Sequence, residues 1–198
     1  MGQRPPGAYR LLNFPYDGQG GDMSGMAGMG SGPPAAMATI VYEGRAERSL
    51  GLPARLVPVE PLPPSKLPLR TFEFRSRAVG TTFFFQINGL DFDHHRVDAR
   101  VELNTIEDWE IVNADLMDHP VHLHTNPFQI LGADGQPERA WRDIINVRGG
   151  ARQRFRVRFA DYPGKTVYHC HRVAHGDLGM MQVIEMLDKR IPPRTRLP

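Results

Sequence analysis

The sequence predicts an all-β chain whose larger part is a two-sheet β-sandwich. Two observations carry that expectation. From Thr71 onward, short alternating or apolar runs recur, separated by turns rich in Gly, Asp and Pro. The run 152–159 alternates cleanly, with Phe155, Val157 and Phe159 on one inward face. A third observation marks the boundary of this region. Prolines at 53, 58, 61, 63, 64 and 68 make residues 51–70 an extended linker that no helix could accommodate.

Taken in order, residues 9–15 and 39–42 are short strands flanking residues 20–34, a Gly-rich flexible loop that holds Met23, Met26 and Met29. Two strands and a loop do not make a domain. After the linker, strands are expected at 71–74, 82–87, 100–103, 109–113, 128–131, 152–159, 166–171 and 181–186. At 198 residues the chain can bury one good core and part of a second. A net charge of +2 is too small to argue for nucleic acid or an anionic membrane surface. There is no apolar run long enough to span a bilayer, and the first residues lack the apolar stretch of a signal peptide. The single cysteine has no disulfide partner within the chain.

That cysteine, Cys170, lies in a run that contains His169, His171, His175 and Met180, and a second run upstream holds His119, His122 and His124. Alternate residues of a strand point to opposite faces, so His169 and His171 share one face while Cys170 takes the other. If the upstream run is extended, His122 and His124 share a face and His119 takes the opposite one. Two sets result. Cys170 and His119, with His175 and Met180 from the loop that follows, match two His, one Cys and a weak Met, the composition of a blue-copper site. His122, His124, His169 and His171 form two His-x-His pairs without sulfur, suited to a second metal site bound by imidazole alone.

Other readings fit the same residues less well. Structural zinc usually recruits several cysteines, and here there is one. A Cys-His nucleophile would leave the other histidines unexplained. His94 and His95 are adjacent, so they cannot imitate a third pair and are expected as exposed loop residues.

Both runs resemble the copper signatures of the C-terminal cupredoxin domain of multicopper oxidases, the laccase and cuprous oxidase family. The resemblance extends through residues 86–93, 109–113, 141–146 and 163–164 to 179–181, and covers about residues 71–188. It implies a Greek-key cupredoxin sandwich at 71–188, a tail at 189–198, and a C-terminal remnant of a middle cupredoxin domain at 1–50. It also implies that His119, Cys170 and His175 bind type 1 copper with Met180 axial, that His122 serves type 2 copper, and that His124, His169 and His171 serve the type 3 pair. Complete members supply four His-x-His pairs, whereas this sequence holds two, so it carries half of a trinuclear cluster. The expected partners are therefore missing N-terminal domains or a subunit bearing the other pairs, together with oxygen and a small reductant or cuprous ion. Relatives are usually exported, which implies a periplasmic or extracellular location.

The family also points to Asp115, Met117 and Asp177 as a port for substrate cuprous ion, with a solvated turn and a buried Met as the plain alternative. Two departures stand out. Gly176 occupies a position where many relatives carry a proton-relaying Glu, and Thr125 follows His124 where Gly is common. Three functions remain open at this level: the C-terminal portion of a multicopper oxidase, a stand-alone blue-copper electron carrier, or a copper-sequestering module that relies on the Met-rich loop.

Overall fold

The structure is a computed structural model and describes residues 6–14, 33–44 and 57–190. The loop with Met23, Met26 and Met29 lies outside the described residues, as does most of the expected tail. The chain divides into two units, Met1–Pro58 and Val59–Pro198.

In the first unit, β1 (Gly7–Asn13) pairs antiparallel with β2 (Ala35–Tyr42), with a register shift between Leu11 and Leu12. This ribbon has no buried side to hold it. Leu11, Phe14, Met37, Ile40 and Val41 are all exposed by more than half. An isolated two-stranded ribbon is at best marginally stable in water.

The second unit is the sandwich. One sheet runs in the order β4 (Thr82–Ile87), β3 (Arg70–Val79), β6 (Thr105–Asn113), β10 (Arg152–Phe159), β8 (Phe128–Ile130). The other runs β5 (Ala99–Glu102), β12 (Met181–Leu187), β11 (Gly164–Cys170), β7 (His119–Leu123), β9 (Ile144–Val147). From β5 to β10 the chain alternates between the sheets at every strand, which is how sequentially distant strands become neighbours in a Greek-key sandwich. Two of these strands extend the sequence reading: β7 is a strand in its own right, and β9 carried no expectation.

Trp109 sits fully buried between the sheets. Its ring lies 4.6 Å from Phe72, 5.5 Å from Phe159 and 5.6 Å from Tyr168. Phe155, Val157 and Phe159 point inward as the alternation of β10 requires. Burial of each such side chain stabilises the fold by about 1.5–3 kcal/mol, so this layer anchors the scaffold on which the histidine-bearing strands lie.

Residues 57–69 hold neither helix nor strand, as their prolines demand. They are nevertheless fastened to the sandwich. Buried Gln129 accepts a bond from the Leu62 N–H at 2.7 Å and donates to the Glu60 carbonyl at 2.9 Å. Buried Arg156 pairs with Asp108 at 2.6 Å and also donates to the Leu62 carbonyl.

Candidate metal centre

Strands β7 and β11 are antiparallel neighbours, with His122 opposite His169 and Val121 opposite Cys170. Along β7, His119, Val121 and Leu123 are buried, and His122 between them faces the other way. Along β11, Tyr168 and Cys170 are buried and His169 is not. One sheet therefore carries two histidine groups, one on each side. β9 completes the local frame by pairing His119 with Val147 and His122 with Ile144.

On the core side three donors converge. Cys170 Sγ lies 3.5 Å from His119 Nδ1 and 3.6 Å from His175 Nδ1, and the two Nδ1 atoms are 3.3 Å apart. All three residues are buried. His175 arrives on a single-turn helix, α1 (Val173–Asp177), where the sequence suggested only a loop, and the Phe85 ring stacks on it at 4.2 Å. Met180 is fully buried beside them; its N–H donates to the His175 carbonyl at 2.9 Å and its carbonyl accepts the Cys170 N–H at 3.0 Å. His119 Nε2–H donates to Asp115 at 2.7 Å, so Nδ1 is the nitrogen left free to face Cys170.

The electrostatics fit a cation. Burial pushes the Cys170 thiol up to about 11. Burial, reinforced by His119 and Arg172, pushes His175 down to about 4. Without metal, then, the cluster is a neutral thiol beside a neutral His175 imidazole at pH 7. A bound cation supplies the positive charge that a buried thiolate needs, and one sulfur with two borderline nitrogens matches copper better than a hard ion.

On the opposite face, His124 Nε2 lies 3.0 Å from His169 Nε2. The His122 ring is 4.6 Å from His124 and 5.5 Å from His171, and the His169 and His171 rings stack at 5.7 Å. His171 falls just past the end of β11, a correction to the expected strand, yet its ring still joins the group. His122 Nδ1–H donates to the Asp143 carbonyl at 2.7 Å and His169 Nδ1–H to the Cys170 carbonyl at 2.9 Å, which leaves Nε2 of each ring unprotonated. Burial lowers the pKa of His124 and His169, with neighbouring imidazoles adding to the shift. Both are therefore held neutral and able to ligate. Cys170 connects the two sides: its side chain belongs to the core group and its carbonyl holds His169.

Other expected residues are placed as follows. Asp115 is fully engaged, with each carboxylate oxygen 2.8 Å from the Ser76 N–H and one of them on His119. Burial pushes its carboxyl up, but the bonds from His119 and Ser76 outweigh this and hold it below the usual range. Met117 is partly buried, and Asp177 is exposed at the end of α1. His94 and His95 are exposed, with their rings tilted against each other at 3.7 Å, apart from both groups. A Cβ on Gly176 would lie 3.2 Å from the Cys170 carbonyl, so this position is against the bond that joins the two sides. Thr125 adopts a left-handed φ of 72°, which a glycine would take without strain. Sequence reasoning missed Ser76, Phe85 and the Asp143 carbonyl, none of which belongs to a motif with the ligands they support.

Comparison with known proteins identifies the family. A profile of the multicopper oxidase family matches residues 60–189. A multicopper oxidase of Staphylococcus haemolyticus is 36% identical over 108 residues, which cover 50% of this chain and 24% of that protein. A laccase of Bacillus subtilis is 29% identical over 119 residues, covering 48% of this chain and 23% of the laccase. The chain thus spans about a quarter of the length of the curated relatives it matches. Among solved structures, a Campylobacter jejuni multicopper oxidase described as a metallo-oxidase superposes with a TM-score of 0.69 at 25% identity, over 94% of this chain and 42% of that one. A Pediococcus acidilactici multi-copper oxidase gives 0.65 at 28% identity, over 77% of this chain and 33% of its own. With a profile match across the whole sandwich and Cys170, His119 and His175 converging in its core, the chain belongs to the multicopper oxidase family and has its cupredoxin fold.

Proposed function

We propose that this chain is the type 1 copper-bearing, C-terminal part of a multicopper oxidase, and that it contributes half of the cluster at which oxygen is reduced. The observation that carries this reading is the two-sided sheet. His119, Cys170 and His175 meet on its core side, and His122, His124, His169 and His171 gather on the other. His119, Cys170 and His175 would hold type 1 copper, with Met180 as a weaker fourth donor; His122 would serve type 2 copper and the remaining three the type 3 pair. Copper there would supply one-electron chemistry on the core side and, once the outer group is completed, four-electron reduction of oxygen to water.

The chain's own residues bind, orient and connect. Asp115 fixes the His119 ring, Phe85 packs against His175, and the Asp143 and Cys170 carbonyls fix His122 and His169. The link from Cys170 to His169 is short both along the backbone and through their 2.9 Å hydrogen bond. Two further His-x-His pairs must come from elsewhere, because the other two of the eight histidines are the exposed His94 and His95. The exposed apolar ribbon β1–β2 supports an origin in a larger protein, as the remnant of a middle domain whose other strands would cover it. Asp177 and Met117, with Asp115 behind them, are the candidates for guiding a cuprous ion or other small reductant toward the core site. Export to the periplasm or cell exterior follows from the family resemblance.

A stand-alone electron carrier would have no use for four clustered imidazoles on the outer face. The direct test is the copper-loaded chain and its Cys170→Ser variant. The wild type is expected to be blue and the variant colourless, while copper bound by the outer imidazoles persists; a blue Cys170→Ser protein would overturn the assignment.

A further inference from the structure

Asn113, the last residue of β6, is 1% exposed and touches no candidate ligand, yet it joins the parts that place one of them. Its Oδ1 accepts the Asp115 N–H at 2.9 Å, and its Nδ2 donates to the Met117 carbonyl at 2.8 Å and the Val147 carbonyl at 2.9 Å. Both donors of the amide and its acceptor are therefore used. Since β6 lies in one sheet and Val147 on β9 in the other, a single side chain ties the two sheets together through the loop 114–118. Val147 is also the register partner of His119.

The far side of that loop is held by the turn after β9. Buried Asp118 accepts bonds from the Gly149 N–H and from Asn146 Nδ2, both at 3.0 Å, and the Gly150 N–H donates to the Asp115 carbonyl at 2.8 Å. Contact is so close that a Cβ on Gly149 would lie 2.0 Å from the Leu116 carbonyl oxygen. What this clamp presents is the Asp115 carboxylate, 2.7 Å from His119 Nε2.

We infer that Asn113 and Gly149 are positioning residues of the core metal site, acting through the 114–118 backbone and Asp115 to set the orientation of the His119 ring. The inference rests on the reading of that site as copper-binding. Partners one step removed from a ligand commonly change metal affinity by about 10- to 100-fold when lost, and that is the effect expected here.

The test uses the full chain with Asn113→Asp, which keeps size and the Oδ1 acceptor but removes both donors, and separately Gly149→Ala, which forces Leu116 away. Copper affinity is read by competition with a chelator and the ligand field by the thiolate-to-copper absorption band. Both variants are expected to bind about 10- to 100-fold more weakly with a displaced band. Val157→Ala, in the core of β10, is expected to lower the melting temperature without moving either readout. Folded variants with the affinity and band of the wild type would overturn the inference. A measurement on the metal-free wild type needs no variant. NMR should find His119 protonated at Nε2, with slow exchange of that proton and of both Asn113 amide protons; fast exchange at Asn113 or protonation of His119 at Nδ1 would equally overturn it. A wild type that takes up copper without turning blue would instead defeat the reading of the core group as the type 1 site.

Discussion

The two sides of the sheet formed by β7 and β11 use the same two strands to opposite ends. On the core side, the donor atoms of His119, Cys170 and His175 lie within 3.6 Å of one another and are shut away from water. On the outer side, four imidazoles spread over ring separations of 4.6 to 5.7 Å, and His171 is exposed. The first group is closed by its own chain through α1, which folds back to deliver His175. Among the described residues, the second has no such element. Alternation along a strand can place ligands on either side, but a site is completed only where the chain also supplies a lid.

Several perturbations should separate the two sides, beginning with the largest. Cys170→Ser should abolish the blue band entirely, whereas His122→Ala should leave it in place; loss of colour in both would mean that the sites are not independent. Phe85→Ala removes the ring stacked on His175 and should cost about 3–5 kcal/mol of stability, measured by urea unfolding. It should also disturb copper binding on the core side while the outer group still binds. Metal uptake offers a finer contrast. Because burial holds Cys170 as a thiol up to about 11, loading the core site at pH 7 should release one proton from it, and Cys170→Ser should abolish that release in a weakly buffered titration.

Acid should act on the core side through His175, whose pKa falls to about 4 in the fold from an ordinary value of 6.5. Below 6.5 the unfolded chain takes up a proton that the folded chain refuses. Stability of the metal-free protein should therefore decline from pH 6.5 toward pH 4, and less so in His175→Gln. The smallest effect is on the outer side. Thr125→Gly relieves a left-handed φ but gains unfolded-state entropy, so the net change in stability should stay within about 1 kcal/mol.

Much of this arrangement was legible in the sequence because it depends on parity. The separation of His119 and Cys170 from His122, His124, His169 and His171 needs only the alternation of an extended chain, and the structure keeps it even where β11 stops before His171. The strands near 109–113 and 152–159 were equally visible, since each packs an alternating apolar face against the core. What stayed hidden depends on distant pairing. β9 has only four residues with a mixed pattern, and its placement beside β7 comes from the register of His119 with Val147. Phe85 and the Asp143 carbonyl reach His175 and His122, and Ser76 reaches Asp115, across large gaps in the chain, and a backbone carbonyl carries no signature in side-chain chemistry. The short helix that delivers His175 has no side-chain cap and five residues, too few for a helical period to show.

The most direct measurement is oxygen uptake by the purified, copper-loaded chain with excess electron donor, once its blue colour has been confirmed. A complete core site beside an incomplete outer one predicts a blue protein that consumes no oxygen in a sustained way. Sustained uptake by the chain alone, lost on His122→Ala or His169→Ala, would show that these chains assemble a working cluster among themselves and would contradict the account.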